Sequence, residues 1–267
     1  MKLAANLTML FTELPLAERI RAAAEAGFAG VEVQFPYEVP AHELKAALQA
    51  AGLPLVLINL PAGDLMTGGP GLAAVPERQA EFDAALAQAL VYAAGVRPRF
   101  VNVLPGRLAE GVSREAALES LVGNLRRCAE AFAPLGIRVL AEAINPLDMP
   151  GFLINTADDL NRLVEAVDHP NFAAQLDLYH MARQDLDLPA SVAALGGHIG
   201  HVQFADCPGR GAPGSGSVDF AAALAALREA GYDGWLAAEY RPGEAGTAAS
   251  LEWLGQWREE PRAEQAV

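Results

Sequence analysis

Four polar side chains stand near the ends of four successive apolar segments, and together they have the chemistry of a cation site. They are Glu142 in LAEAIN, Asp177 in FAAQLDL, Gln203 in HIGHVQF and Glu239 in GWLAAEY. Three carboxylates and an amide that converge in a low-dielectric environment repel one another unless a cation lies between them. Oxygen donors of this kind suit Mg²⁺ or Mn²⁺. The set therefore predicts a divalent metal site, although any one of these residues alone is more typical of a hydrogen-bonded residue at a strand end.

Two further residues have the chemistry to bind a substrate. His180 lies three residues after Asp177 and can reach a substrate oxygen, with a structural or capping histidine as the equal alternative. Arg210 lies in the Gly- and Pro-rich segment DCPGRGAPGSG. Its guanidinium suits bidentate binding of a carboxylate, and a solvated loop arginine is the alternative. The segment lacks the GxxxxGK(S/T) pattern, which argues against binding of nucleotide phosphates.

Short β-branched segments alternate with longer segments that have apolar residues at helical spacing, and this predicts a parallel sheet with intervening helices. The eight predicted strands are, in order, KLAANL, GVEVQF, PLVLINL, RFVNVL, IRVLAEA, FAAQLDL, HIGHVQF and GWLAAEY. Capping residues delimit several helices between them. Ser113, Thr156 and Asp219 are the predicted N-caps, and the predicted helix ends are at Gly27, Gly52 and Gly136. A long helix is also predicted from about Glu77 to Ala94.

Eight such units without a change in composition favour one closed (β/α)8 barrel, with an open doubly wound sheet as the alternative. In a (β/α)8 barrel the active site lies at the carboxyl ends of the strands. Side-chain alternation is consistent with the four polar residues pointing into the barrel. His201 is predicted to be an interior histidine with a hydrogen-bond partner, and a structural role is favoured for most of Asn6, Glu32, Asn59 and Asn102.

Composition limits the class of protein. The 267 residues include 33 acidic and 19 basic side chains, for a net charge of −14, which argues against nucleic acid as a partner. No apolar stretch reaches the ~20 residues of a membrane span, and the N-terminus lacks a signal-peptide core. We therefore predict a cytoplasmic protein that does not associate with membranes. We also predict a single domain over residues 1–267, with residues 255–267 as a polar tail.

Eight segments are distributed along the whole chain: AANLTMLFTE, GFAGVEVQFPY, NLPAGD, EAINPLDMPGF, QLDLYHM, HVQFAD, PGSGSVDF and GWLAAEY. Together they resemble the hydroxypyruvate isomerase family of the xylose-isomerase-like barrels. The resemblance implies a divalent metal bound by Glu142, Asp177, Gln203 and Glu239. It also implies that Glu142 and Glu239 are the acid/base pair, and that the partner is a small hydroxy or keto acid.

The resemblance leaves open which acid is the substrate. Gln203 favours the hydroxypyruvate isomerase branch, because related ketose epimerases usually have histidine there. Very similar proteins isomerise 2-oxo-tetronate, which is the alternative substrate. The expected chemistry is proton transfer through an enediolate, and a hydride shift is the rival mechanism.

Two other classes of protein are alternatives to an isomerase. A sugar-acid binding protein is one of them. A metal nuclease with a related barrel is the other, but the acidic net charge and the five histidines oppose it. Homo-oligomer formation is left open.

Overall fold

A computed structural model of the protein describes residues 1–259, with side chains described as far as Trp257. Eight strands pair in parallel, each with the next, and the last strand pairs with the first, so that the sheet closes into a barrel. The strands are β1 Lys2–Asn6, β2 Gly30–Glu32, β3 Leu55–Asn59, β4 Phe100–Asn102, β5 Arg138–Glu142, β6 Phe172–Asp177, β7 Ile199–Phe204 and β8 Trp235–Ala238. The predicted (β/α)8 barrel is confirmed, and all eight predicted strands are present with tighter bounds.

Helices connect the strands and cover the outside of the barrel. They are α1 Leu16–Ala26, α2 Ala41–Ala51, α3 Gln79–Val96, α4 Arg114–Phe132, α5 Ala157–Val167, α6 Leu178–Ala182, α7 Leu188–Leu195, α8 Phe220–Glu229, α9 Gly246–Ala249 and α10 Glu252–Glu259. Helix α3 begins later than predicted because Pro76–Arg78 form a 3-10 turn. None of the helices within residues 1–259 is long and apolar enough to cross a bilayer.

Most helix ends follow the predicted capping chemistry, whereas α4 ends at Phe132 and Gly136 instead ends the 3-10 turn Ala133–Leu135 that follows it. The side chains of Ser113, Thr156 and Asp219 accept hydrogen bonds from the backbone N–H of the third residue beyond each of them. Gly27 and Gly52 end α1 and α2 with φ angles of +89° and +67°. This left-handed region is accessible to glycine without the steric cost that a side chain imposes. The helices are therefore delimited by local sequence.

The barrel interior has an apolar layer below a polar layer. One buried apolar cluster contains Ala4, Leu57, Leu140, Ala173 and Ala237, all from the strands. Because side chains alternate along a strand, residues two positions further on face the same interior. The residues at these positions are all polar: Asn6, Asn59, Glu142, Gln175 and Glu239. The first four belong to strands, and Glu239 directly follows β8. The strands thus carry a polar layer towards their carboxyl ends.

The C-terminal residues differ from the polar tail predicted for residues 255–267. Residues 255–259 belong to α10, and residues 260–267 lie outside the described part of the chain. Trp257 packs against Phe204 with ring centroids 4.8 Å apart, and Trp253 lies 5.2 Å from the same ring. The tail begins as a packed helix because these indole rings bury apolar surface against β7. The prediction of a single domain over 1–267 stays a prediction.

Close packing near the bottom of the barrel yields a stability prediction. A Cβ at Gly30 would lie 2.7 Å from a methyl of Val56 and 2.8 Å from the ring of Trp235. We expect Gly30→Ala to lower the free energy of unfolding by about 1–3 kcal/mol, because buried neighbours must move. In the control Gly123→Ala, an exposed helix position with open space, stability should rise slightly. Urea unfolding that gives equal midpoints for wild type and Gly30→Ala would contradict this packing.

Candidate active site

The closed barrel brings the four predicted metal-site residues to one mouth. Glu142 and Asp177 are the last residues of β5 and β6, Gln203 is the next to last of β7, and Glu239 directly follows β8. These four residues are only 1–5% exposed. Buried carboxylates at adjacent strand ends need compensation from hydrogen bonds or positive charge. The surrounding residues supply both.

Glu142 is held by two amides through one of its oxygens. Its Oε2 accepts hydrogen bonds from Nδ2 of Asn102 at 3.2 Å and from Nε2 of Gln175 at 3.0 Å. Its Oε1 faces Nε2 of His180 at 3.7 Å. Burial raises the pKa of Glu142 well above the usual value, and the nearby charges of Glu239 and Asp177 raise it further. The Oε1 atom is therefore the oxygen available to a ligand.

Asp177 joins the end of β6 to the start of α6. Its Oδ1 accepts a hydrogen bond from the backbone N–H of Tyr179 at 2.9 Å and so caps the helix. Its Oδ2 lies 3.5 Å from Nε2 of His180 and 3.4 Å from Nη2 of Arg210. One carboxylate oxygen is thus fixed by the backbone, and the other points into the mouth.

Glu239 lies between an arginine and an amide. Its Oε1 accepts hydrogen bonds from Nη2 of Arg210 at 2.8 Å and from Nε2 of Gln34 at 3.0 Å. Burial raises the pKa of Glu239 to about 8; the charge of Arg210 opposes this rise, and that of Asp177 adds to it. A carboxyl with this pKa can both take up and release a proton near neutral pH.

Gln203 is oriented by a further carboxylate, that of the fully buried Glu32. Its Nε2 donates to Oε2 of Glu32 at 2.8 Å, and its Oε1 accepts from Nε2 of Gln175 at 2.6 Å. Glu32 also accepts from Nδ2 of Asn6 at 3.1 Å and contacts Nε2 of His201. The predicted hydrogen-bond partner of His201 is therefore Glu32. This network fixes which end of the Gln203 amide faces each neighbour.

Arg210 carries the positive charge at the mouth. The loop after β7 presents its guanidinium to Asp177 and Glu239, 4.9 Å above the ring of Tyr179. Within the described residues its buried Nε has no hydrogen-bond partner. Burial lowers the pKa of Arg210, but the charges of Glu239 and Asp177 outweigh this and leave it raised. Arg210 is therefore a partly buried, ion-paired residue and not the solvated loop arginine that was the alternative from the sequence.

His180 contacts the same carboxylates from α6. Its Nε2 faces Glu142 and Asp177, and its Nδ1 lies 2.7 Å from Nδ2 of Asn145. Burial lowers the pKa of His180 to about 4, and the charge of Arg210 contributes in the same direction. The imidazole is therefore neutral near neutral pH.

A divalent metal fits this donor set. Among the described residues, one ligand atom from each of Glu142, Asp177 and His180 lies within 4.8 Å of the others, and all three residues are buried. A cation there would offset the repulsion that raises the pKa of Glu142. This group includes His180, which was not predicted as a ligand, and does not include Glu239. The four-ligand set stays a prediction.

Several contributing residues were missed by sequence reasoning. Gln175 connects Glu142 to Gln203, and its position two residues before Asp177 on the same strand was an available signal. Gln34 follows β2 and could have been found in the same way. Asn145 lies in a loop with no strand alternation to indicate its direction. Its contact with His180 depends on how α6 is placed.

Comparison with known proteins gives concordant results. Residues 20–257 match the family model described as xylose isomerase-like TIM barrel. A 2-oxo-tetronate isomerase of Haemophilus influenzae is 38% identical over 96% of this chain and 99% of its own length. A hydroxypyruvate isomerase of Escherichia coli is 37% identical over 97% of this chain and 100% of its own length.

A solved structure has the same fold over almost the whole chain. It is described as an AP endonuclease, family 2, from Brucella melitensis, and it superposes with a TM-score of 0.91 at 39% identity, covering 96% of this chain and 98% of its own. The family model and the solved structure agree with the closed barrel. The chain belongs to the xylose isomerase-like TIM barrel family.

Proposed function

We propose that the protein is an aldose–ketose isomerase that interconverts hydroxypyruvate and tartronate semialdehyde, with 2-oxo-tetronate as the alternative substrate. Relatives of 36–38% identity over nearly their full lengths are named for one or the other of these activities. The observation that carries the proposal is the pair Glu142 and Glu239, two buried carboxylates in one mouth whose pKa values are both raised. Carboxyls tuned in this way are suited to proton transfer next to a carbonyl.

We further propose that Glu142, Asp177, Gln203 and Glu239 hold Mg²⁺ or Mn²⁺. The acidic donor set supports a hard divalent cation, since carboxylate and amide oxygens are its preferred ligands. When bound, such a cation polarises a carbonyl oxygen and stabilises the negative charge that develops on it. The grouping of Glu142 with Asp177 supports two of these four assignments.

The two glutamates have complementary tasks in the proposed reaction. One carboxylate removes a proton from the hydroxyl-bearing carbon next to the carbonyl, which gives an enediolate. A carboxyl group then returns a proton to the former carbonyl carbon, and the hydroxyl proton passes to the former carbonyl oxygen, so that the carbonyl and the hydroxyl exchange places. The raised pKa of Glu239, about 8, suits it to either task near neutral pH.

Arg210 and His180 are the proposed substrate contacts. The buried Nε of the Arg210 guanidinium has no hydrogen-bond partner among residues 1–259, and the guanidinium can bind the carboxylate that both candidate substrates carry. His180 faces the same mouth and can contact a substrate oxygen. The acidic net charge of −14 makes a polyanionic substrate a poor alternative, which weighs against a nuclease.

The proposed reaction is tested by proton NMR of the protein with hydroxypyruvate and Mg²⁺ or Mn²⁺ in D₂O. We expect tartronate semialdehyde to form with metal and not with EDTA, and solvent deuterium to enter the product because a carboxylate carries the proton. Turnover of 2-oxo-tetronate alone would select the alternative substrate. Complete retention of substrate hydrogen would favour a hydride shift, and absence of turnover with both acids would contradict the isomerase.

Replacement of Glu239 by glutamine tests its role in proton transfer. Glu239→Gln keeps the size of the side chain but removes its proton acceptance, so we expect kcat to fall by about 10²–10⁴-fold. Steady-state kinetics with bound metal quantified in each sample separates loss of the base from loss of a ligand. Glu229→Gln, at an exposed position of α8, is the control. Near-normal kcat in Glu239→Gln would remove Glu239 from the acid/base pair.

The raised pKa of Glu239 predicts how the stability of the metal-free protein depends on pH. Between the ordinary value of 4.5 and about 8, Glu239 holds more protons in the folded than in the unfolded chain. The contribution of this group to the free energy of unfolding is therefore full below this window and is lost as pH rises through it. Urea unfolding in EDTA should show a shallower fall with pH in Glu239→Gln than in wild type. Identical pH dependence in the two proteins would contradict the shift.

A further inference from the structure

The buried side-chain amide of Asn145 contacts His180 at the mouth of the candidate site. Asn145 follows β5 and is fully buried, and His180 on α6 is 3% exposed. Nδ2 of Asn145 lies 2.7 Å from Nδ1 of His180. Because both residues are almost wholly shielded from solvent, this short contact is a hydrogen bond in which one nitrogen donates and the other accepts.

The direction of the Asn145 amide is fixed by Asp148. The backbone N–H of Asp148 donates to Oδ1 of Asn145 at 2.8 Å, and Nδ2 of Asn145 donates to Oδ2 of Asp148 at 3.1 Å. Turning the amide by 180° would set its NH₂ against the backbone N–H and its oxygen against the carboxylate. Both hydrogen bonds would be lost, so the NH₂ group is the end that faces His180.

Asp148 is itself held in place by α6 and the residue that follows it. The hydroxyl of Tyr179 donates to its Oδ2 at 2.7 Å, and Nε of Arg183 lies 3.4 Å from its Oδ1. Tyr179 is the neighbour of His180, and Arg183 directly follows the helix. The loop after β5 and this helix are thus connected twice, once through Asp148 and once through Asn145.

The orientation of the amide determines which ring nitrogen of His180 carries the proton. A ring nitrogen that faces an N–H donor must offer a lone pair, so Nδ1 is unprotonated. In a neutral imidazole the proton is then on Nε2. That N–H points towards Oδ2 of Asp177 and Oε1 of Glu142, at 3.5 and 3.7 Å. An Nε2 that carries a proton has no lone pair with which to bind a metal.

We propose that Asn145 is a positioning residue that holds His180 as the Nε2–H tautomer, so that His180 donates a hydrogen bond to a substrate oxygen instead of binding the cation. The inference deepens the proposed function and rests on it for the identity of the acceptor. It accounts for a histidine beside two carboxylates in a site whose proposed ligands are all oxygen atoms. It also gives a role to Asn145, a loop residue whose side-chain direction cannot be predicted from strand alternation.

The tautomer is measured directly by long-range ¹⁵N–¹H correlation NMR of full-length protein labelled with ¹⁵N-histidine and freed of metal with EDTA. The signals of His180 are assigned by their loss in His180→Gln. We expect Nδ1 of His180 to resonate as an unprotonated nitrogen and Nε2 as a protonated one. The reverse pattern would overturn the proposal, and this result does not depend on turnover of any substrate.

Variants at position 145 then test whether the amide is the cause. Asn145→Asp replaces the donor by an acceptor and should shift His180 to Nδ1–H, and Asn145→Ala should give a mixture of tautomers. Tyr179→Phe removes a hydrogen bond to Asp148 but leaves the Asn145 amide in place, and it should keep Nε2–H. An unchanged tautomer in folded Asn145→Ala would overturn the role of Asn145.

A kinetic measurement tests the link between the tautomer and turnover. With a substrate that wild type turns over, kcat of Asn145→Asp should fall at least about 10-fold with metal content unchanged. An unchanged kcat would overturn the link to turnover.

Discussion

The structure depends on holding several carboxylates close together away from water. Glu142 and Asp177 end β5 and β6, Glu239 directly follows β8, and the three meet at one mouth, where burial and mutual repulsion raise the pKa values of Glu142 and Glu239. Such a cluster is costly in the absence of positive charge. Arg210 supplies one charge directly, and the donor set leaves room for a divalent cation. The loop that carries Arg210, the amides below the site and the cap of α6 are all arranged around this requirement.

Neutral amides do much of the orienting in this mouth. Gln175 donates to Glu142 and Gln203, and Asn102 donates to Glu142, without adding charge to the crowded site. An amide has a donor end and an acceptor end, so each contact fixes the direction of the next. The chain from Glu32 through Gln203 to Gln175 therefore determines which atoms face the ligand. A comparable chain from Asp148 through Asn145 does so for His180.

Sequence patterns predicted the strands and the helix ends better than the side-chain contacts at the mouth of the barrel. Strand alternation and strand ends were enough to place Glu142 and Asp177 in the mouth, because both follow from the local period of the backbone. Helix caps such as Ser113 were predictable because capping is also local. The contact between Asn145 and His180 depends on the packing of α6 beside the loop after β5, which no local pattern encodes. Trp257 was assigned to a polar tail because its neighbours in sequence are charged, whereas its ring packs on Phe204.

Closure of the sheet by the pairing of β1 with β8 has a consequence for synthesis on the ribosome. β1 is made before the other seven strands, yet β8, the second strand that pairs with it, is complete only at Ala238. A nascent chain therefore carries an unpaired edge on β1 until β8 is made, and such edges promote association with other chains. Glu239 is added immediately after the residue that completes the barrel. Any truncated product that stops before this point lacks both closure and a central carboxylate, so partial chains are exposed to aggregation and proteolysis without being active.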